Sequence, residues 1–167
     1  MALELARPVG DPQVTGTALA LCSFIFMSAG EDARARAIFG ETLELIRDLQ
    51  QLGWVAVELH ALAWVARMLG SAGKVLDAVA GEPLQSPWLL AGRAVAEGDF
   101  VRAADIFGEM GASALEAFYR LHAAEQLVSE GRRAEADEQV RPALAFYRSA
   151  GATRYVREGE ALLAESA

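Results

Sequence analysis

One spacing recurs along this 167-residue chain and constrains its fold more than any other feature: a glycine followed five residues later by an alanine. Glycine accepts the left-handed backbone that ends a helix, and a small alanine lets the next helix pack closely against the first. The pattern therefore predicts a series of helical hairpins with glycine at the turns. The four copies are Gly30 with Ala35, Gly73 with Ala78, Gly98 with Ala103, and Gly131 with Ala136.

A large apolar residue follows the alanine by four positions in three of these copies, at Phe39, Phe107 and Val140. Such a residue fills the space between adjacent hairpins. Gly98 and Gly131 are 33 residues apart, which is close to the period of a helix-turn-helix repeat. The two earlier steps are 43 and 25 residues, so we expect an irregular array.

Helix-forming residues dominate the chain and strand signals are nearly absent, so we expect an all-α fold. Pro142 falls inside the eighth predicted helix, where it would cost about 3 kcal/mol in a straight interior. We therefore expect a kink there or a break near Val140. The breaks predict nine helices, over about 12–29, 31–52, 54–69, 74–80, 86–97, 99–110, 112–130, 132–149 and 152–165.

The turn between the fifth and sixth helices is the most informative one. It reads Gly98-Asp99-Phe100, with the small Ala103 and the aromatic Phe107 after it, and it resembles the turn of the tetratricopeptide repeat (TPR). Small residues seven positions before each turn glycine also fit: Ser23, Ala66, Ala91 and Ala124. The chain departs from the family at the early-helix Trp position, which holds Leu19, Leu62, Pro87 and Arg120, and it lacks the repeat-terminal Pro.

This resemblance implies a TPR-like right-handed superhelix of about four antiparallel hairpins plus a C-terminal helix. It would form a single domain over residues 11–167, after a flexible segment over 1–10. Segments 45–53, 56–63 and 143–164 are similar to the C-terminal repeats of bacterial MalT-like or LuxR-type ATPase regulators and ATPase-coupled adenylate cyclases. The chain is therefore expected to be a piece of such a protein or a stand-alone relative.

Charge and hydropathy exclude several partners. The net charge is −8 and the pI about 4.8, which argues against nucleic acid, since phosphate binding needs a basic surface. The longest apolar run, residues 18–27, is too short to span a bilayer. Cys22 is the single cysteine, so no intrachain disulfide can form. We expect a cytoplasmic protein with neither a nucleic-acid nor a membrane partner.

The sequence offers no convincing catalytic, cofactor or metal site. Gly70-Ser-Ala-Gly73-Lys74 lacks the first glycine and the Ser/Thr of a phosphate-binding loop. His60 and His122 lack metal-ligand spacing, and we expect His122 to be a partly exposed helix residue. Cys22 is predicted to be a buried structural thiol, and Glu41, Glu44 and Asp48 a solvated helix face. We predict that the protein is not an enzyme and holds no cofactor.

A binding groove is the functional expectation, and it follows from the resemblance. In TPR proteins the first helix of each hairpin lines a concave groove, whose positions can be counted back from each turn glycine. The predicted function is non-enzymatic docking of a peptide or protein partner, with a homodimer also plausible. The alternative is a small-molecule sensor domain of a bacterial regulator, with a pocket around Trp88, Arg67 and His60. The predicted groove residues are Phe24, His60, Arg67, Gln85, Trp88, Phe118 and Glu125.

Overall fold

The computed structural model describes residues 12–49, 59–79 and 86–165, and all of these lie in helices or in short turns between them. This part of the chain contains no strand, so the predicted all-α class is confirmed. Its nine helices are α1 (Pro12–Ser28), α2 (Asp32–Leu49), α3 (Leu59–Met68), α4 (Ala72–Val79), α5 (Pro87–Glu97), α6 (Phe100–Glu109), α7 (Ser113–Ser129), α8 (Arg133–Ser149) and α9 (Thr153–Glu165).

Helix ends agree with the sequence-based bounds to within one residue in α1 and in α5 to α9. The predicted segments 1–10, 50–52 and 54–58 lie outside the described residues. Of the two alternatives expected at Pro142, the break near Val140 is wrong, because α8 runs without interruption through Pro142, and the kink stays a prediction. Proline removes one backbone donor. Pro142 is exposed, so its ring displaces no core side chain.

Six described turns are built alike. Each has a glycine with a positive φ, between +65° and +82°, placed two residues before the next helix begins. In five of them the residue after this glycine donates its N–H to the carbonyl five residues earlier, over 2.6–2.9 Å. That hydrogen bond satisfies a carbonyl which the ending helix leaves unpaired. The six turn glycines are Gly30, Gly70, Gly98, Gly111, Gly131 and Gly151.

The second turn glycine is Gly70 and not Gly73, which corrects the sequence-based alignment. Gly70 has φ +65°, and the N–H of Ser71 donates to the carbonyl of Ala66 over 2.6 Å. Gly73 already lies inside α4. Counting five residues from Gly70 places Val75 at the small-residue position, and Val75 is 1% exposed.

Both ends of α5 follow their sequence signals. Ser86 precedes the helix and its hydroxyl accepts the N–H of Leu89 over 3.2 Å, while Pro87 occupies the first helical position. These are the preferred N-terminal capping residues. Gly98, with φ +82°, ends the helix. The local chemistry thus fixes where α5 begins and ends.

The chain divides into two compact units, Met1–Gly98 (unit 1) and Asp99–Ala167 (unit 2). The prediction of one domain over 11–167 stays a prediction. In unit 1, α3 packs between α1 and α5, and α2 and α4 pack behind these helices. Gly92 of α5 allows a close approach to α3, because a Cβ there would lie 2.6 Å from Leu59 Cγ.

Unit 2 is a run of neighbouring antiparallel pairs, in which α7 packs on α6 and α8, and α9 packs on α8 and α7. One core cluster contains Leu127, Val140 and Leu144, and a second contains Leu121 and Tyr147. Partly buried residues of α9 cover both clusters. The core of unit 2 is therefore closed on one side by the C-terminal helix.

Candidate functional site

The corrected turn at Gly70 shifts the predicted groove positions of α3 by three residues. His60 now stands ten residues before its turn glycine, as Trp88 does before Gly98. Trp64 takes the position six residues before the turn, which Phe24 holds in α1. Trp64 was missed in the sequence-based prediction, because Gly70 and Gly73 are two candidate turn residues three positions apart.

Three of these side chains form one line along α3. His60, Trp64 and Arg67 are spaced by four and three residues, so they lie on the same face of the helix. All three are half-buried. Such side chains combine a large apolar surface with a polar group that can reach a ligand.

Trp88 of α5 joins this line from the neighbouring helix. Its ring centroid lies 6.1 Å from that of His60, with 40° between the ring planes. The two residues hold equivalent positions in consecutive hairpins, which explains why adjacent packing of α3 and α5 brings them together. The sequence-predicted pair His60 and Trp88 is thus brought into contact.

Arg67 reaches the C-terminal end of α5. Its guanidinium occupies the space into which a Cβ at Gly98 would project. A cation at this end of a helix is favoured by the helix dipole. Arg67 therefore helps to hold α3 against α5, a structural role that the sequence did not indicate.

Other predicted groove positions have different environments. Phe24 is half-buried on α1, the helix beside α3, whereas Gln85 lies outside the described residues. Ala20 and Val95, which stand ten and three residues before their turn glycines and so count as groove positions by the same rule, are fully buried core residues. We call the set Phe24, His60, Trp64, Arg67 and Trp88 the aromatic face of unit 1.

Phe118 and Glu125, the two predicted groove residues of unit 2, both contact His122. The Phe118 and His122 rings meet edge to face with centroids 4.5 Å apart. His122 Nδ1 and Glu125 Oε2 lie 2.7 Å apart, at hydrogen-bonding distance. His122 is partly exposed, as predicted. It contacts both residues because it lies four positions after Phe118 and three before Glu125, on the same side of α7. We call these three residues the α7 patch.

Leu121 occupies the groove position of α7 that corresponds to Trp88 in α5, yet it is core. It is 1% exposed, and Val156 and Leu162 of α9 pack against its cluster. The C-terminal helix therefore covers this part of α7, and the α7 patch consists of what remains accessible beside it.

Arg120, which the sequence-based alignment places at the early-helix Trp position, makes hydrogen bonds to three side chains. Its side chain is 16% exposed. It donates to Glu116 Oε1 over 2.9 Å, to Gln139 Oε1 over 2.8 Å and to Asp105 Oδ1 over 3.1 Å. One guanidinium thus ties α6, α7 and α8 together, because its fork can serve several acceptors at once.

A cleft of about 220 Å³ opens next to Arg120, between α7 and α8. Its wall combines the polar Ser113, Glu116 and Arg120 with the apolar Ala117, Pro142 and Phe146. The volume is below the roughly 300–1,000 Å³ of most small-molecule sites. The cleft has room for a small group only.

The sequence analysis considered several residues as candidates for catalysis or metal binding, and the structure gives the burial of most of them. Cys22 is half-buried, so the thiol is less enclosed than the predicted buried core position. Glu41 and Glu44 are exposed on α2, as expected for a solvated face, and Asp48 lies among side chains that are not described. Within the described residues, no group of three or more His, Cys, Asp or Glu side chains is placed to hold a metal ion.

None of the described helices is both long and apolar enough to cross a bilayer.

Comparison with known proteins adds no relative. No protein-family model matches the chain. No curated protein matches it either, and neither does any solved structure. The resemblance to tetratricopeptide repeats therefore stays a prediction from the sequence.

Proposed function

We propose that this protein is a non-enzymatic, TPR-like interaction module whose aromatic face docks a peptide or protein partner. The observation that carries the proposal is the contact between His60 and Trp88, with Trp64 on the same side of α3 as His60. Three half-buried rings on two adjacent helices offer the kind of surface that dominates binding energy in protein interfaces.

The repeat character of the fold supports this proposal. Six turns share one backbone design, and α1, α3 and α5 pack in sequence. In a stack of this kind, equivalent side chains of successive hairpins line one continuous surface. A helix or an extended segment of a partner can lie across such a surface. We also propose, from the sequence resemblance of segments 45–53, 56–63 and 143–164 alone, that the protein belongs with the repeat modules of bacterial regulators and acts in the cytoplasm.

Chemistry of the aromatic face favours a partner segment with apolar and aromatic anchors. The rings of His60, Trp64 and Trp88 provide apolar area and few fixed charges. Each large anchor buried against such a surface contributes about 1.5–3 kcal/mol.

The test uses a random peptide library displayed on phage and selected on the purified chain. Enriched peptides are synthesised and their Kd values are measured by fluorescence anisotropy. We expect His60→Ala and Trp88→Ala to weaken binding about tenfold or more, as one lost anchor of 1.4 kcal/mol requires. The matched control is Phe26→Ala. Phe26 is half-buried on α1 and lies under the guanidinium of Arg34, 4.8 Å from its ring centroid.

The proposal is wrong if no peptide is enriched, or if enriched peptides bind His60→Ala and Trp88→Ala as tightly as the wild type. Circular dichroism of each variant separates loss of binding from loss of fold.

A small-molecule sensor is the second candidate function, and the cleft beside Arg120 is the observation that favours it. A thermal-shift screen with metabolites distinguishes the two functions. Reproducible stabilisation by a compound that Phe146→Ala abolishes, together with no binding by any selected peptide, would favour the sensor.

A further inference from the structure

The cleft between α7 and α8 carries two opposite charges side by side in its lining. Glu116 and Arg120 both line it, and Arg120 Nε donates to Glu116 Oε1 over 2.9 Å. The two side chains are 27% and 16% exposed, so water screens their charges less than it would at an open surface. The cleft therefore presents a dipolar wall to any molecule that enters it.

Both members of this ion pair keep hydrogen-bonding capacity. A guanidinium has five N–H donors, and Arg120 gives three of them to side chains of α6, α7 and α8. Two donors therefore remain for a ligand. Glu116 Oε2 accepts no hydrogen bond from any of the described residues. A ligand can thus gain charge-assisted hydrogen bonds here while the contacts that tie the three helices together stay in place.

The two charged groups are also fixed in position. Arg120 is held by Asp105 of α6 and Gln139 of α8 as well as by Glu116. Glu116 lies against α6, because a Cβ at Gly108 would be only 3.0 Å from its Cδ. A ligand therefore does not have to order these side chains, which lowers the entropy cost of binding.

The size and the remaining lining of the cleft limit the ligand further. Its volume of about 220 Å³ is that of about seven water molecules, at roughly 30 Å³ each. Ala117, Pro142 and Phe146 supply an apolar part of the lining, and Ser113 supplies a hydroxyl. The cleft therefore suits a very small molecule with adjacent polar groups and a short apolar part.

We propose that this cleft binds a small free α-amino acid with an apolar side chain. A ligand with a single charge is attracted by one member of the ion pair and repelled by the other, whereas a zwitterion is attracted by both. The α-ammonium and α-carboxylate are separated by one carbon atom, which matches charged groups whose nearest atoms are 2.9 Å apart. The assignment deepens the sensor alternative and does not rest on peptide docking by unit 1.

Each part of the amino acid has a counterpart in the lining. The ammonium group donates to Glu116 Oε2, and the carboxylate accepts from the remaining donors of Arg120 and from the Ser113 hydroxyl. The side chain contacts Phe146 and Pro142. These roles predict that removal of either charge from the ligand weakens binding.

A nuclear magnetic resonance titration of the full chain tests the class of ligand. L-alanine, L-valine and L-leucine are each added to about 20 mM, which reveals a Kd near 1 mM. We expect saturable shifts of the backbone amide signals of residues 113–120 and 143–146. The N-acetyl derivative and the amide of the tightest binder each lack one charge, and both should bind about tenfold weaker or worse. The same loss is expected for 6-aminohexanoate, whose charges are far apart.

A pair of matched variants tests the site. Glu116→Gln keeps an oxygen that can accept from Arg120 but removes the negative charge, so it should bind the amino acid about tenfold more weakly. The control Glu138→Gln makes the same change at an exposed residue of α8 outside the lining and should bind as the wild type does. Circular dichroism confirms that each variant is folded. Both variants should bind a phage-selected peptide as the wild type does, so failure of the cleft and failure of peptide docking are read separately.

The proposal is overturned if none of the three amino acids gives saturable shifts in the two segments. It is also overturned if the N-acetyl derivative, the amide or 6-aminohexanoate binds as tightly as the parent amino acid, since a singly charged or extended ligand would then suffice. Unchanged binding by Glu116→Gln, or equal loss in Glu138→Gln, shows that the ion pair does not form the site.

Discussion

Replacing Gly98 with alanine should destabilise unit 1 more than the same change at Gly30. Both glycines have left-handed backbone, with φ +82° and +76°. An alanine in this conformation costs about 1–2 kcal/mol. At Gly30 a Cβ meets no heavy atom within 4 Å, so this backbone cost is the whole effect. At Gly98 the Cβ also overlaps the guanidinium of Arg67.

The additional cost at Gly98 follows from moving Arg67. The guanidinium must leave the end of α5, which removes a favourable cation–dipole contact worth about 0.3–1 kcal/mol and disturbs the packing of its stem. We expect Gly98→Ala to cost about 1 kcal/mol more than Gly30→Ala, for a total near 2–3 kcal/mol. In an Arg67→Ala background, the cost at Gly98 should fall to that at Gly30.

Urea unfolding followed by tryptophan fluorescence measures these costs, because all three tryptophans, Trp54, Trp64 and Trp88, lie in unit 1. The wild type, Gly98→Ala, Arg67→Ala and the double variant form a double-mutant cycle whose coupling energy isolates the contact between positions 67 and 98. Equal costs for Gly98→Ala and Gly30→Ala, or zero coupling with Arg67→Ala, would refute the assignment of Arg67 to the end of α5.

Three further predictions concern unit 2 and helix interiors. Burial raises the pKa of Tyr119 and, together with nearby Tyr155, that of Tyr147. Since the unfolded state ionises first, these two residues leave stability unaffected below about pH 10 and lower it as pH rises further. Ionisation of Tyr119 and Tyr147 should therefore accompany the loss of helical circular dichroism, and their ionisation in a folded chain would contradict this. Arg120→Met should lower the free energy of unfolding by about 1–3 kcal/mol, because it leaves polar partners on three helices unpaired. Arg120→Lys should lose less stability than Arg120→Met but remain less stable than the wild type. Wild-type stability in Arg120→Lys would show that charge alone matters. Gly159→Ala should destabilise the protein, because its Cβ would lie 2.8 Å from Leu144 Cδ2. Gly40→Ala, whose Cβ meets no atom within 4 Å, should stabilise it by about 0.5–1 kcal/mol. If thermal melts show that both variants change the melting temperature in the same direction, the described packing of α9 is contradicted.

Much of the fold could be predicted because glycine and proline mark the ends of helices. Ser86 with Pro87 and Gly98 gave both ends of α5 correctly. The choice between Gly70 and Gly73 could not be made from the sequence, since either residue can end a helix. That one choice shifted the predicted groove on α3 and hid Trp64.

Other features depend on tertiary packing and leave no local signal. Cys22 was expected in the core, but the apolar residues of α1 are not confined to one side of the helix, so its sequence does not indicate which face is buried. Arg120 bonds partners 15 and 19 residues away, which no local spacing predicts. Leu121 is buried because α9 covers it, although its position in the hairpin is that of a groove residue.

The location of the docking site is the central claim, and photo-cross-linking tests it most directly. A benzophenone amino acid is placed at position 24 on the aromatic face, or at position 26 on the same helix, and each variant is irradiated with a selected peptide. Phe24 and Phe26 are both half-buried, so the two probes differ mainly in direction. The account predicts peptide cross-links from position 24 and only background from position 26. Equal cross-linking from both positions, or stronger cross-linking from position 26, would contradict it.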